Sequence, residues 1–334
     1  MNILFVDGTT PKPYTVADLE VSRMGGTEAT CLRVIRELSH RHSIMLLQRG
    51  RTDIVISSFA TYASLDHKPE TTPDVVVTLR DAKLYRTALQ SYPNSLHYLW
   101  MHDVVSGDYA QHLSECLSDG EVHKLLAVSQ WHANQIYNAL PNLTLAGALN
   151  IQVMYNPIET YCVRTQTQYN PKQLIFYSSP HKGLDDVLDV FSHLRTHDPD
   201  MKLLVANPGY YEDKKDLPAG VETVQLPHRL LMEKVRESLC MFYPQITFEE
   251  TFGLVYAESN ALGTPVLAHN LGAAAEVLDH NNQIIDCRNV DKVIKTALDW
   301  SKGGRRPTVS GSKLFSMGEV IKTWEKLIRF GSVA

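Results

Sequence analysis

Residues 248–266 read FEETFGLVYAESNALGTPV, and this stretch carries the strongest pattern in the chain. It predicts a loop that gives way to a helix near Gly253. Unpaired backbone N–H groups and the positive dipole end of such a helix favour anionic or hydroxyl-rich ligands. Glu250 lies in the loop, and Glu258 lies about one turn inside the helix, where side chains lean toward the N-terminus. Both carboxylates can therefore accept hydrogen bonds from the hydroxyl groups of one ligand.

A structural interpretation of the two glutamates stays open on these residues alone. Glu250 would then complement the helix dipole, and Glu258 would be a solvated helix residue. The two interpretations differ in whether the carboxylates meet a ligand or the solvent.

Short apolar runs alternate with helical patterns along the whole chain, which is typical of an α/β protein. Some of the runs, such as Val75–Leu79, are continuous and β-branched, which favours strands buried on both faces of a parallel sheet. In the second half the pattern predicts a helix over Leu231–Leu239, a helix over Leu254–Ala261 and a strand over Gln283–Ile285. The stretch Asn156–Gln173 contains two prolines and lacks periodicity, so we interpret it as a linker.

The length of 334 residues predicts about two domains. We expect an N-terminal domain over residues 1–160, a second domain over residues 161–315 and a final helix within residues 316–334. In the tail, Met317–Phe330 places Val320, Ile321, Trp324, Leu327 and Ile328 on one face of an amphipathic helix.

The charge balance argues against a nucleic-acid ligand. The net charge is −5, and residues 1–160 hold 12 Lys and Arg against 16 Asp and Glu. Binding to nucleic acid or to a strongly anionic membrane usually requires a cationic face. No apolar run is long enough for a transmembrane segment, so we expect none, and peripheral contact with a membrane stays open.

Five scattered cysteines without a CxxC pair favour reduced thiols and a cytoplasmic location over a disulfide framework or a zinc site. The D-x-D string at Asp198–Asp200 contains a turn-forming proline between a helix and a strand, so we do not interpret it as a metal site. We predict no metal site and no bound cofactor.

The frame E-x-F-G-L-x-x-x-E-x-x-A-x-G-x-P-V, from Glu250 to Val266, resembles retaining family-4 glycosyltransferases of the GT-B fold. The resemblance implies two Rossmann-like domains that face each other across a cleft, with the last helix crossing back to the first domain. It assigns Glu250 to the donor sugar, as a catalytic residue, and Glu258 to the ribose hydroxyl groups of a nucleotide. It also assigns the backbone around Thr251, Phe252, Gly253 and Leu254 to the sugar and the pyrophosphate.

Other motifs match landmarks of the same family in order and spacing. Gly25 and Gly26 open the first long helix, where paired glycines allow close approach of the backbone to a phosphate. A plain turn is the alternative for this pair. His102 follows a strand at the sheet edge where α/β proteins bind ligands, and the resemblance places it near the donor sugar as a catalytic residue. A structural histidine is the alternative there.

Ser178, Ser179 and Lys182 follow the first strand of the second half, and we predict that all three bind the donor. Lys182 matches a lysine that binds the donor diphosphate and acts in catalysis. The chain departs from the family here, because the usual arginine a few residues earlier is missing. No arginine lies between Arg164 and Arg195. His181, Arg229 and Arg288 are the candidates to replace its charge, and the sequence does not choose among them.

The resemblance implies metal-independent transfer of a sugar, with retention of anomeric configuration, from a UDP-, GDP- or ADP-sugar to a hydroxyl acceptor. The acceptor class stays open among a glycan, a lipid-linked sugar and a small molecule, and so does the oligomeric state. The alternatives are another GT-B enzyme, such as a nucleotide-sugar epimerase or a phosphorylase, and a non-catalytic nucleotide-binding subunit.

Overall fold

A computed structural model describes residues 1–21, 24–162, 168–206, 217–279 and 281–331 of the chain. The chain divides into two compact units. The first consists of Met1–Leu19, Gly25–Pro157 and Met317–Ala334, and the second is built mainly on Ile158–Ser316. Within the described ranges no helix is both long and apolar enough to span a bilayer.

The strands of the described ranges are short, and almost all of them pair in parallel. In chain order they are β1 (Asn2–Asp7), β2 (Ser43–Gln48), β3 (Val55–Ile56), β4 (Thr61–Ser64), β5 (Val75–Leu79), β6 (Leu96–Trp100), β7 (His123–Ala127), β8 (Leu149–Val153), β9 (Asn170–Phe176), β10 (Lys202–Ala206), β11 (Val221–Val224), β12 (Ser238–Tyr243) and β13 (Val266–Ala268).

The α-helices of the described ranges alternate with these strands. They are α1 (Asp18–Val21), α2 (Gly26–Leu38), α3 (Ala82–Ser91), α4 (Gly107–Leu117), α5 (Gln130–Ala139), α6 (Pro141–Leu145), α7 (Leu184–His197), α8 (His228–Arg236), α9 (Leu254–Ala261), α10 (Ala274–Val277), α11 (Val290–Ser301) and α12 (Met317–Phe330).

The first unit holds a sheet with the order β3-β4-β2-β1-β5-β6-β7-β8, in which only β3 and β4 pair antiparallel. All five residues of β5 are buried, as expected for a continuous apolar run covered by helices on both faces. The chain leaves β1 toward β2 and later returns to β5 on the other side of β1. The order of the strands therefore reverses between β1 and β5, and the loops that follow these two strands diverge.

The predicted C-terminal helix is confirmed at both ends, and it belongs to the first unit. Its Trp324 is fully buried, with ring centroids 6.2 Å from Phe5 and 4.8 Å from Trp100. Those two residues lie on β1 and β6, so α12 covers the middle of the first sheet. The amphipathic pattern of the tail thus reflects packing against this unit.

The second unit holds a parallel sheet with the order β11-β10-β9-β12-β13. The chain runs outward from β9 to β10 and β11, and then returns to β12 on the other side of β9. This sheet therefore has its own reversal point, between the neighbouring strands β9 and β12.

Two element predictions in the second unit were wrong. The helix predicted over Leu231–Leu239 is α8, His228–Arg236, because Ser238–Tyr243 forms a fully buried strand and sheet pairing overrides the helical pattern. The strand predicted over Gln283–Ile285 is a 3₁₀ turn over Asn281–Gln283 with one bridge at Ile284. There the Gln283 side chain accepts the backbone N–H of Val266 at 2.6 Å, which occupies the donor that a paired strand would use.

The linker predicted over Asn156–Gln173 extended too far, because β9 already begins at Asn170. Pro171 is the second residue of this strand, near the start, where a missing N–H is tolerated. Residues 163–167 of that stretch lie outside the described ranges.

Candidate active site

The reversal point of the second sheet brings two loops together. One loop follows β9 and leads into α7, and the other follows β12 and leads into α9. Because β9 and β12 are parallel neighbours, their carboxyl ends lie at the same edge of the sheet. Open α/β sheets bind their ligands at this kind of edge.

Lys182 and Glu250 meet at this edge, one from each loop. The Lys182 Nζ atom lies 2.8 Å from Glu250 Oε2. The Glu250 side chain is 7% exposed and the Lys182 side chain 25%, so the pair is largely shielded from water while the lysine keeps some exposure. An ammonium has three N–H donors, and one is used here, so Lys182 can also donate to a second anion.

Aromatic residues hold both partners in place. The Tyr243 hydroxyl donates to Glu250 Oε1 at 3.1 Å, and burial together with the Glu250 charge raises the pKa of Tyr243 well above its ordinary value. Tyr243 therefore remains a hydrogen-bond donor at physiological pH. Lys182 Nζ lies 4.6 Å from the centroid of the Phe248 ring, a cation–π distance, and the His181 ring packs against the same phenylalanine.

Two glycines allow the backbone to approach Glu250 and α9. Gly272, with a φ of +60°, lies so close to the Glu250 backbone that a Cβ atom would be 2.4 Å from the Glu250 carbonyl oxygen. Gly253, with a φ of +80°, is the N-cap of α9, and a Cβ atom there would be 2.4 Å from the Tyr256 ring. Both positions favour glycine for steric and conformational reasons. Thr251, Phe252 and Leu254 flank Gly253, and Phe252 packs edge-on against Phe315 at 5.0 Å.

Glu258 lies inside α9 and is buried, with only 3% of its side chain exposed. The His228 Nε2 atom lies 3.0 Å from Glu258 Oε1, and the Tyr161 hydroxyl lies 2.7 Å from His228 Nδ1. The expectation of a solvated helix residue is therefore wrong for Glu258. A buried carboxylate needs hydrogen-bond partners, and α8 supplies one of them.

The candidates to replace the missing arginine lie in different surroundings. His181 is next to Lys182 and contacts Phe248, and the Arg229 guanidinium carbon lies 5.9 Å from the Tyr161 ring centroid. Arg288 pairs with Asp286 at 2.9 Å and is mostly exposed. Of the predicted serines, Ser178 is buried, and the Ser179 carbonyl accepts the Lys182 N–H.

Gly25 and Gly26 lie in the first unit, where Gly25 is the N-cap of α2. The Glu28 carboxylate reaches back over this helix end, and a Cβ atom at Gly25 would be 2.2 Å from Glu28 Oε2. Glu28 Oε1 lies 3.4 Å from the Arg80 guanidinium. The positive charge of Arg80 offsets the negative charge that Glu28 places at the position predicted for a phosphate.

His102 follows β6 in the same unit and is buried, with its ring 4.7 Å from the Trp100 ring. Burial, together with the Arg80 and His132 charges, lowers the pKa of His102 well below its ordinary value. His102 is therefore neutral near pH 7. A neutral imidazole at a sheet edge can exchange hydrogen bonds with a hydroxyl group.

Sequence reasoning missed Asp7 and Arg80, which sit on the two sides of the reversal point of the first sheet. Asp7 ends β1 and accepts hydrogen bonds from Thr9, Thr10 and the Tyr14 hydroxyl. Arg80 follows β5 with a φ of +60°, and among the described residues it is the only non-glycine in the left-handed region. The available signal was a charged residue at the end of each buried strand, since Asp7 is the last residue of β1 and Arg80 directly follows β5.

Sequence reasoning also missed Tyr243, His228 and Tyr161 in the second unit.

Asp198 of the rejected D-x-D string pairs with Lys172. Histidines 193 and 197 lie one turn apart on α7, yet in the described ranges no group of three His, Cys, Asp or Glu side chains could hold a metal ion.

Comparison with known proteins adds to this geometry. Residues 164–308 match a family model described as glycosyl transferases group 1, and this interval includes Lys182, Glu250 and Glu258. A GDP-mannose-dependent alpha-(1-6)-phosphatidylinositol monomannoside mannosyltransferase from Mycobacterium tuberculosis is 28% identical over 129 residues. The alignment covers 34% of this chain and 34% of that protein, so the chain spans about a third of the length of the curated relatives it matches.

Two solved structures are similar over nearly the whole chain. A glycosyltransferase from Rickettsia africae ESF-5 has a TM-score of 0.61 at 13% identity, with 98% of this chain and 97% of that chain covered. The catalytic domain of starch synthase IV from Arabidopsis thaliana, bound to ADP and acarbose, has a TM-score of 0.61 at 11% identity, with 98% of each chain covered. The chain has the GT-B fold. The predicted fold class, with its two Rossmann-like domains, is therefore confirmed.

Proposed function

We propose that this chain is a glycosyltransferase that moves a sugar from a nucleoside diphosphate sugar to a hydroxyl group of an acceptor. The observation that carries the proposal is the Lys182–Glu250 ion pair at the reversal point of the second sheet. The GT-B fold and the family model over residues 164–308 support the same activity.

In the proposed reaction the bond between the anomeric carbon and the diphosphate oxygen breaks, and a bond from that carbon to the acceptor oxygen forms. The proton of the acceptor hydroxyl passes to a departing phosphate oxygen. Negative charge therefore grows on the diphosphate, and a preorganised cation at that position lowers the barrier. Lys182 is the residue we assign to this role, together with the backbone N–H groups at the start of α9 near Gly253.

The two glutamates have separate roles in this proposal. Glu250 accepts hydrogen bonds from the sugar, since each carboxylate oxygen can accept more than the one bond it now receives. Glu258 accepts hydrogen bonds from the ribose hydroxyl groups. The donor roles of Gly25, Gly26 and His102 in the first unit, and of Ser178, Ser179, Thr251, Phe252 and Leu254 in the second, remain predictions from the resemblance.

Retention of configuration and independence from metal ions are the finer parts of the proposal. Retention rests on the likeness of Glu250–Val266 to family-4 enzymes. Metal independence rests on the same likeness and on the presence of Lys182, which supplies the positive charge near the diphosphate. The acceptor is a glycan, a lipid-linked sugar or a small molecule.

A donor screen tests this function. GDP-mannose comes first, because the mycobacterial relative is named for it, followed by UDP-sugars and ADP-sugars. Each donor is incubated with pooled glycan and lipid-linked acceptors, with and without excess EDTA, and products are read by mass spectrometry. We expect nucleoside diphosphate release and an acceptor that gains one sugar, at the same rate in EDTA.

The same screen separates the alternatives. Formation of an altered free sugar without an acceptor would indicate an epimerase, and a dependence on inorganic phosphate would indicate a phosphorylase. Nucleotide binding with no release from any donor would indicate a non-catalytic subunit. Activity lost in EDTA and restored by Mg²⁺ or Mn²⁺ would contradict the metal-independent part of the proposal.

A further inference from the structure

The buried Glu258 carboxylate is held by a side chain from another helix. Glu258 lies in α9, and His228 is the first residue of α8, 30 positions earlier in the chain. The Nε2–Oε1 distance of 3.0 Å is that of a hydrogen bond, and only 3% of the glutamate side chain is exposed against 27% for the histidine. The glutamate is thus buried, whereas the histidine that contacts it is partly exposed.

The contacts on the two ring nitrogens suit the neutral tautomer of His228 in which Nε2 carries the proton. An ionised carboxylate can only accept, so the Nε2 atom of His228 donates to Glu258. In a neutral imidazole the Nδ1 atom is then an acceptor, and the Tyr161 hydroxyl lies 2.7 Å from it. In this tautomer the hydrogen bonds run in one direction, from the Tyr161 hydroxyl to His228 and from His228 to Glu258.

Helix α8 also fixes Tyr161 itself. The Tyr161 and His228 rings pack edge-to-face with centroids 5.8 Å apart, and the Arg236 guanidinium at the end of α8 donates to the Tyr161 carbonyl oxygen at 3.5 Å. Both ends of α8 therefore hold the tyrosine that orients the histidine. Packing of this kind leaves the histidine ring few alternative orientations.

We infer that His228 is a positioning residue for the nucleotide, because it fixes the Glu258 carboxylate in the orientation that meets the ribose hydroxyl groups. Tyr161 supports it by selecting the tautomer that donates from Nε2. This inference rests on the proposed function, in which Glu258 binds ribose. Without the histidine, Glu258 loses a charge-assisted hydrogen bond that helps to fix its orientation before a nucleotide binds.

The test compares variants by calorimetric affinity for whichever of UDP, GDP and ADP binds best. His228→Leu removes the donor at nearly constant size, and His228→Gln places an amide donor near the Nε2 position. His228→Asn also removes the Nε2 donor and serves if leucine disturbs folding. Lys234→Gln changes an exposed residue on the same helix and is the matched control.

We expect His228→Leu and His228→Asn to raise the Kd for the nucleotide about 10-fold or more, the range of one charge-assisted hydrogen bond. His228→Gln should recover the affinity to within about 3-fold of the unaltered protein, and Tyr161→Phe should lose about 2- to 5-fold. With donor at saturation, kcat should change little, so the loss appears in KM. A merely structural role would not produce rescue by glutamine or this separation of KM from kcat.

Glu258→Gln, measured in parallel, distinguishes a failure of the His228 inference from a failure of the proposed ribose role of Glu258. If Glu258→Gln weakens nucleotide binding and neither His228→Leu nor His228→Asn does, the inference about His228 is wrong and the proposed function stands. If Glu258→Gln leaves the affinity unchanged, the ribose role fails and the inference fails with it. If the His228→Leu Glu258→Gln double variant binds no worse than Glu258→Gln alone, the histidine acts through the glutamate, as inferred.

Discussion

The Lys182 ammonium lies 2.8 Å from the Glu250 carboxylate, and each residue follows one of the two strands that flank the reversal point of the second sheet. The two residues that we assign to the diphosphate and to the sugar thus hold each other before any donor binds. Removing either one leaves the other as a largely shielded charge without this partner. Their effects on catalysis should therefore be coupled rather than additive.

The first prediction concerns Lys182→Ala. Loss of a charge-assisted contact to the diphosphate should lower kcat/KM by roughly 10- to 150-fold, which corresponds to about 1.5–3 kcal/mol. Lys202→Ala, which changes a half-exposed lysine paired with Glu222 on the same sheet, should stay within about 2-fold of the unaltered protein. Equal kcat/KM values for the two variants would show that Lys182 does not bind the diphosphate.

A second prediction concerns the stability of the first unit. Asp7 is fully buried; burial alone would raise its pKa, but hydrogen bonds from Thr10, Tyr14 and Thr9 and the Arg80 charge hold it below the ordinary value of 3.8. The ionised carboxylate is thus favoured by the fold. Asp7→Asn should lower the free energy of unfolding at pH 7 by about 1.5–3 kcal/mol, the range for hydrogen bonds to a charged group.

Urea unfolding at several pH values measures this effect. The pKa of Asp7 is lower in the folded protein than in the unfolded chain. The stability that the ionised Asp7 contributes is therefore present above pH 3.8 and is lost as the pH falls through the lower, folded pKa. The gap between Asp7→Asn and the unaltered protein should therefore close in strong acid. Asp66→Asn, at an exposed loop position, is the control and should leave the stability within about 0.5 kcal/mol. The role of Asp7 would be contradicted if Asp7→Asn and this control had the same free energy of unfolding at pH 7.

A third prediction concerns mild acid. Burial lowers the pKa of His132 to about 4, although a hydrogen bond to the Asp103 carbonyl oxygen opposes the shift. Between the unfolded value of 6.5 and the folded value, the unfolded chain binds a proton that the folded chain does not. Stability should therefore fall as the pH drops, by about 1–2 kcal/mol between pH 7 and pH 5 for this histidine alone.

His132→Gln tests whether His132 causes this pH dependence of the unfolding free energy. The variant removes one titrating group, so its unfolding free energy should depend less steeply on pH between 7 and 5, whatever its absolute stability. His40→Gln, at an exposed position after α2, is the control variant. An unchanged slope in His132→Gln would mean that the proton is taken up elsewhere.

Much of the fold follows from local patterns. Helix α9 begins and ends where its pattern predicts, and Gly253 in the left-handed conformation sets its start. The same holds for α12, whose stripe around Trp324 has the period of a helix. Where local and long-range preferences conflict, the sequence pattern fails. At Ser238, where a helix was predicted, β12 pairs with β9 instead. At Gln283, where a strand was predicted, the buried side-chain amide accepts the backbone N–H of Val266 in place of a backbone partner.

The candidate site was predictable only in part, for a similar reason. Lys182, Glu250 and Glu258 stand in recognisable spacing to glycines and strand ends. Nothing near His228 in the sequence indicates its hydrogen bond to Glu258, because that contact depends on how α8 packs on α9. Arg80 needs a left-handed backbone that no sequence pattern predicts for an arginine.

The central claim is the division of labour between the two glutamates, and one pair of measurements tests it most directly. Glu250→Gln and Glu258→Gln keep the side-chain shape, and each variant is measured for nucleoside diphosphate affinity by calorimetry and for steady-state transfer of the sugar. Glu258→Gln should weaken binding of bare nucleotide and raise KM, because ribose is present in both ligands. Glu250→Gln should lower kcat/KM and spare nucleotide affinity, because the bare nucleotide lacks the sugar. Equal weakening of bare nucleotide by both variants would contradict the division, and two folded variants unchanged in affinity and in kinetics would contradict the site itself.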